Sequence, residues 1–166
     1  MDSKTLLIIW HSRTGGSAAL AQAAATAARA AAPEVRTIPL RAADTDPAAL
    51  RAADAYLFVA PENLAALSGA MKEMFDRTYY AVLGHIEGRP YATIICAGSD
   101  GSGAQRQIDR IATGWRLRRV AEPIIVITGA QTGEAIWAAK VIGERELAAV
   151  GELGAALAVG LGEGMF

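Results

Sequence analysis

Five short apolar runs alternate with longer segments of helical spacing along the chain. The runs are rich in Val, Ile, Leu and Ala, and they predict strands over 5–10, 35–39, 55–60, 91–97 and 123–128. They are mostly continuous rather than alternating, which is typical of strands buried on both faces of a parallel sheet. The pattern therefore predicts an α/β fold, a three-layer sandwich with right-handed crossovers.

The segments between these runs have helical spacing or helix-forming composition. Ala, the best helix former, dominates the first segment, and Pro33 ends it. Methionine and aromatic residues recur at i, i+3, i+4 and i+7 after position 70, and we expect them to belong to the core. The helices are predicted over 17–32, 47–51, 71–82, 103–116 and 144–159. The glycine-rich end, 160–166, has no periodicity, which leaves open whether it is loose or its Met165-Phe166 docks on a partner subunit.

Composition is that of an ordinary globular protein. The 166 residues are 52% apolar and 20% charged with a net charge of −1, so they suit a single domain over 1–166 and no nucleic-acid partner. The single cysteine, Cys96, excludes an internal disulfide and favours a reducing compartment. No apolar stretch approaches the ~20 residues that span a bilayer, and we expect a cytoplasmic protein without a membrane segment.

The candidate chemistry begins where the first strand ends. Residues 12–17 contain three hydroxyl side chains and two glycines, and a helix is predicted to start directly behind them. Glycines let backbone N–H groups approach an anion, and a helix N-terminus attracts one. A tight turn that caps the helix would need fewer of these residues, so the density favours a phosphate site.

This loop resembles the Ser/Thr-x-Thr-Gly-x-Thr phosphate loop of the flavodoxin family, with Ser in the last position. The resemblance implies FMN as cofactor, its phosphate surrounded by hydroxyls and amides without a cation. It also implies a flavodoxin-like five-stranded parallel sheet of order 2-1-3-4-5, in which the first, third and fourth strands end at one cleft. The implied phosphate ligands are Ser12, Arg13, Thr14, Gly15, Gly16 and Ser17.

The segment after the third predicted strand extends the resemblance. Pro61, Gly69, Lys72 and Asp76 match the Pro-x-Tyr…Gly…Lys-x-x-x-Asp pattern of NAD(P)H-dependent FMN reductases and WrbA-type quinone reductases, but the aromatic residue near position 63 is missing. The resemblance implies flavin contacts from this loop. In place of the missing aromatic residue, we expect Asn63 to hydrogen-bond a ring carbonyl and Leu64 or Leu67 to cover the ring edge. A solvated loop without a ligand is the alternative. The implied contact residues are Pro61, Glu62, Asn63 and Leu64.

A second loop after the fourth predicted strand matches the same family in position and glycine content. Peptides without Cβ atoms reorient easily, which suits a ring that gains electrons and protons. A glycine-rich turn before a helix is the alternative interpretation. The implied cofactor-binding residues are Gly98, Ser99, Asp100, Gly101 and Gly103.

Other chemistries fit the chain less well. No Walker sequence is present, the third glycine of a dinucleotide fingerprint is replaced by Arg106, and Ser102 stands where a phosphatase after Cys96 needs Arg. We expect no metal site, because His11 and His85 are the only histidines. His11 fits either an ordinary loop or the flavin pocket. The arginines of 106–119 fit either a solvated helix face or contact with an NADPH phosphate.

The resemblance implies an oxidoreductase that uses FMN and NAD(P)H to reduce flavin or a quinone-like small-molecule acceptor. No side chain is expected to act as acid or base, since the flavin supplies the redox chemistry. A flavodoxin-type electron carrier and a flavin-free interaction protein remain alternatives. The net charge of −1 lacks the acidic excess of a carrier. A homodimer or homotetramer is compatible with the sequence.

Overall fold

Strands and helices alternate along residues 3–166, the part of the chain that this computed structural model describes. The strands are β1 (Thr5–Trp10), β2 (Arg36–Arg41), β3 (Ala55–Asn63), β4 (Ala66–Leu67), β5 (Pro90–Ala97), β6 (Arg118–Arg119) and β7 (Ile124–Ile127). The helices are α1 (Gly16–Ala31), α2 (Pro47–Ala52), α3 (Gly69–Val82), α4 (Ser102–Gly114), α5 (Gly133–Trp137) and α6 (Glu144–Gly162), and a 3₁₀ turn covers Ala42–Asp44.

The parallel sheet has the order β2-β1-β3-β5, and both β6 and β7 pair with the outer edge of β5. β6 lies beside the start of β5 and β7 beside its end, so they share the fifth position of the predicted 2-1-3-4-5 order. That order and the parallel pairing are confirmed. The fifth strand is divided because Pro123, which has no N–H for the ladder, precedes β7.

Helices cover both faces of the sheet. On one face α3 and α4 bury an aromatic cluster, in which the rings of Phe58 and Phe75 are 5.2 Å apart and those of Phe75 and Trp115 are 5.3 Å apart. On the other face α1 packs against α6 so closely that a Cβ on Gly154 would collide with the carbonyl of Ala24. The predicted methionine and aromatic face of α3 is buried at Met71, Met74, Phe75, Thr78 and Val82.

The C-terminal end continues α6 rather than forming a separate tail. α6 extends to Gly162, beyond its predicted end at position 159. The ring of Phe166 lies against Gly160, where an added Cβ would be 2.5 Å from the ring, so the last residue packs on its own helix. Among the helices of residues 3–166, none has the length and apolar character needed to cross a bilayer.

Candidate functional site

A cavity of about 490 Å³ opens where the parallel strands end, as expected for an open α/β sheet. Its size lies within the usual range for small-molecule sites. Four segments line it: the loop after β1, the hairpin between β3 and β4, the loop after β5, and the segment after β7. The lining residues are Ser12, Arg13, Thr14, Gly16, Ser17, Pro61, Glu62, Asn63, Leu64, Ala65, Cys96, Ala97, Gly98, Ser99, Thr128, Ala130, Ile136, Trp137 and Lys140.

The loop after β1 is shaped by its two glycines. Gly15 has a positive φ of 97° at the N-cap of α1, and its N–H donates to the Ser12 hydroxyl at 3.0 Å. An added Cβ on Gly16 would lie 2.8 Å from the Cys96 sulfur, so a larger residue would displace β5 or the loop. Gly15 itself is not among the residues that line the cavity. The turn therefore brings the first amides of α1 to the cavity without side-chain obstruction.

The Ser17 hydroxyl is the most informative atom of this loop. Ser17 lines the cavity but is only 2% exposed, and its Oγ has no hydrogen-bond partner within the described residues. The first turn of α1 also has no acidic residue and no side-chain cap. Burial of an unsatisfied hydroxyl is unfavourable, and an oxygen acceptor in the cavity would satisfy it. The Ser17 hydroxyl and the free amides at the start of α1 therefore fit a phosphate group.

The β3–β4 hairpin forms the second wall. Two residues, Leu64 and Ala65, make its turn with positive φ values of 53° and 61°, which cost roughly 1–2 kcal/mol each for residues other than glycine. Leu64 is fully exposed at the tip. Because β3 extends through residues 61–63, the predicted contact residues Pro61, Glu62 and Asn63 belong to a strand rather than to a free loop.

Glu62 ties this hairpin to the start of α4. Its carboxylate accepts hydrogen bonds from the N–H groups of Gly101 at 2.9 Å, Gly103 at 3.0 Å and Ala104 at 3.1 Å. The N–H of Leu67 donates to the Gln107 side chain at 2.6 Å. A carboxylate at a helix N-terminus is favourable because it satisfies free amides and the helix dipole. The hairpin is therefore held in place from two points.

The loop after β5 contributes less to the cavity than the sequence predicts. Gly98 and Ser99 line it, whereas Asp100, Gly101 and Gly103 do not. The N–H groups of Gly101 and Gly103 are occupied by Glu62, and Asp100 accepts from the Ser102 hydroxyl. An added Cβ on Gly103 would collide with the Ala65 carbonyl. These glycines allow close packing between the hairpin and α4.

Sequence reasoning missed the segment after β7, which forms the wall on the α1 side. The N–H of Lys140 donates to the Thr14 carbonyl at 2.8 Å, which joins this segment to the first loop. The Arg13 guanidinium lies over the Trp137 ring, 5.0 Å from its centroid. A local signal for α5 exists at Thr132, whose hydroxyl caps the helix by accepting from Ala135 N–H at 3.2 Å.

Two titratable groups near the cavity have shifted pKa values. Burial, followed by the Arg13 charge, lowers the pKa of His11, whose Nδ1 lies 2.9 Å from the Ser68 hydroxyl. His11 is not a lining residue. Burial raises the pKa of the Cys96 thiol, and the nearby Lys140 charge partly offsets this. The arginines of 106–119 do not line the cavity.

Comparison with known proteins identifies a family. Residues 4–131 match the family model described as NADPH-dependent FMN reductase, so the match includes the first three walls of the cavity and ends before α5. No curated protein sequence matches the chain.

Several solved structures share the fold. A flavodoxin from the domain Archaea aligns over 95% of this chain and 98% of its own, with a TM-score of 0.75 and 16% identity. A WrbA-like flavodoxin from Agrobacterium tumefaciens aligns over 95% and 96%, with a TM-score of 0.66 and 16% identity. The Flv1 flavodiiron core from Synechocystis sp. PCC6803 aligns over 98% of this chain but 37% of its own, with a TM-score of 0.77 and 14% identity. The chain therefore has a flavodoxin-like fold.

Proposed function

The chain belongs to the NADPH-dependent FMN reductase family, and we propose that it binds FMN and passes electrons from NAD(P)H to a small acceptor such as a quinone. The observation that carries this proposal is the hydroxyl of Ser17, a residue that lines the cavity. This hydroxyl is buried and has no hydrogen-bond partner within residues 3–166. A phosphate oxygen is the acceptor that this hydroxyl lacks.

The phosphate end of FMN is assigned to the loop after β1. Ser12, Thr14 and Ser17 supply hydroxyls, while Gly15 and Gly16 leave the amides of the α1 N-terminus accessible. The helix dipole favours a dianion at this end. The absence of an acidic residue in the first turn of α1 keeps the local field positive.

The ring end is assigned to the hairpin and to the loop after β5. Pro61, Asn63 and Leu64 line the cavity from the hairpin, and Gly98 and Ser99 line it from the loop after β5. FMN, when bound, supplies the hydride and electron chemistry. The chain's own residues position the ring and leave space for a nicotinamide, since the side chains at 63, 98 and 99 are short. No acid or base from the protein is required for hydride transfer.

Binding of FMN is tested by titrating the protein with FMN and measuring retention after desalting. The variant Thr14→Glu places a carboxylate in the phosphate loop, and we expect it to lose FMN retention. Thr26→Glu is the matched control, because it adds the same charge to an exposed position in the middle of α1. Equal FMN affinity of the wild type and Thr14→Glu would contradict the placement of the phosphate.

The reductase activity is tested by nicotinamide oxidation with the FMN-loaded protein and a quinone, in parallel with NADH and NADPH. Free FMN at the same concentration is the control. We expect the FMN-loaded protein to oxidise the nicotinamide clearly faster than this control. A rate no higher than that of free FMN, together with tight FMN binding, would assign the protein to electron carriers instead.

A further inference from the structure

The segment 132–140 supplies an aromatic side chain to the cavity that neither the family match nor the sequence pattern assigns. We propose that Trp137 stacks on the flavin ring and that Lys140 positions it. The inference rests on the proposed function, because it names a further residue of the same FMN site. It concerns a part of the chain that lies beyond residue 131, where the family match ends.

The cavity lies between two walls that come from opposite faces of the sheet. The β3–β4 hairpin is bound to α4, which covers one face. The segment after β7 is bound to the loop preceding α1, which covers the other face, through the Lys140 N–H and the Thr14 carbonyl. A flat ligand in the cavity is therefore flanked by Leu64 on one wall and by Ile136 and Trp137 on the other.

Trp137 is suited to stack on a planar ring. Of the described residues that line the cavity it is the one aromatic, and the residue is 67% exposed. The Arg13 guanidinium covers part of the indole at 5.0 Å and orients it by a cation–π contact. Two-thirds of the residue's surface stays exposed beside this contact, and offset stacking of an aromatic ring on another planar ring is favourable.

Lys140 fixes the position of this indole. Its Nζ donates to the carbonyls of Ala135 and Ile136 at 2.9 Å and of Ala138 at 2.7 Å. These are carbonyls at the C-terminal end of α5, where a cation satisfies free acceptors and the helix dipole. The backbone of the same residue is bound to Thr14. One residue thus connects the helix that carries Trp137 to the phosphate loop.

The test measures FMN fluorescence while FMN is titrated into the wild type, Trp137→Ala, Trp137→Phe and Val141→Ala. An indole in contact with the flavin quenches its emission, whereas a side chain with only a structural role does not. Val141 is the matched control, because it is 96% exposed and belongs to the same stretch of chain but does not line the cavity. Thermal melts of the free proteins check that all variants fold.

We expect Trp137→Ala to weaken FMN binding by about tenfold to a hundredfold, as for aromatic stacking on nucleic-acid bases. Its bound FMN should be brighter than that of the wild type. Trp137→Phe should keep most of the affinity but also brighten the bound flavin, and Val141→Ala should match the wild type. FMN that binds Trp137→Ala as tightly as the wild type, with equal quenching, overturns the stacking role and leaves the proposed function standing. No FMN binding by the wild type overturns both.

Discussion

The carboxylate of Glu62 accepts a hydrogen bond of 3.0 Å from the N–H of Gly103, although the two residues are 41 positions apart in the chain. This contact joins the end of β3 to the first turn of α4. The amides of Gly101 and Gly103 are occupied by this carboxylate, and neither glycine lines the cavity. The carboxylate fills the role of an N-cap that α4 lacks locally, since Gly101 has no side chain.

Replacement of Glu62 by Ala should destabilise the fold. Three amides would lose a charged acceptor, and we expect the free energy of unfolding to fall by about 2 kcal/mol. Glu62→Gln keeps one acceptor oxygen and should lose less. Urea denaturation of both variants measures the difference. An unfolding midpoint of Glu62→Ala equal to that of the wild type would show that water satisfies the three amides without a loss of stability.

The sequence predicted the central strands because burial on both faces produces continuous apolar runs. β1 begins and ends where the pattern predicts, and the strand order follows from the resemblance of the phosphate loop to that of the flavodoxin family. The role of Glu62 was not predictable from the local sequence pattern, since its hydrogen-bond partners at 101–104 lie at the start of α4, distant in sequence. A glycine-rich loop is expected both where the backbone approaches a ligand and where it packs closely on another segment. The glycines at 101 and 103 therefore do not distinguish the two cases by themselves.

Replacement of Ser17 by Ala should weaken FMN binding without destabilising the free protein. The Ser17 hydroxyl is buried without a partner among residues 3–166, so its removal should leave the stability of the free protein unchanged or raise it by up to about 1 kcal/mol. FMN affinity should fall about fivefold or more, because a phosphate donor is lost. Titration of FMN and thermal unfolding of the same samples measure the two effects.

Thr37 provides the matched control for Ser17. Its hydroxyl is also buried without a partner in the described residues, but it lies on β2 and does not line the cavity. Thr37→Val should therefore raise stability or leave it unchanged without any effect on FMN. If Ser17→Ala and Thr37→Val bind FMN equally well, the Ser17 hydroxyl does not serve the phosphate.

Replacement of Lys140 by Met should loosen the segment 132–140. The ammonium group donates to three carbonyls at the end of α5. Without these bonds the five-residue helix keeps only the Thr132 cap at its other end, and so short a helix is marginal. We expect faster amide hydrogen exchange over 132–140 and an FMN affinity that falls about as far as for Trp137→Ala. Lys72→Met is the control, since Lys72 pairs with Asp76 on the exposed face of α3. Unchanged exchange in Lys140→Met would remove Lys140 from this role.

The segment after β7 could not be predicted from the sequence as a wall of the cavity. Its short helix has only five residues, too few to display a helical period, and its residues are mostly exposed. Neither apolar periodicity nor glycine content distinguishes it from a loop. Its position beside the phosphate loop depends on a backbone contact between Lys140 and Thr14, which are distant in sequence. Such contacts leave no local pattern.

Stability should fall as the pH drops below about 6.5, and His11 should contribute to this change. Burial and the Arg13 charge lower the pKa of His11 below its ordinary value of 6.5, so the unfolded chain takes up a proton at a higher pH than the folded chain does. The contribution of His11 to stability is therefore complete above about pH 6.5 and is lost as the pH falls through the folded-state pKa.

The measurement is the free energy of unfolding in urea at pH values between about 7.5 and 5, a range that spans the ordinary imidazole pKa of about 6.5. His11→Gln should show a smaller loss over this range than the wild type, because Gln does not titrate. His85→Gln removes the exposed histidine of the loop after α3 and controls for the loss of an imidazole as such. His11 Nδ1 also lies 2.9 Å from the Oγ of the buried Ser68, which precedes α3. Parallel pH profiles for His11→Gln and the wild type would assign the acid sensitivity to other groups.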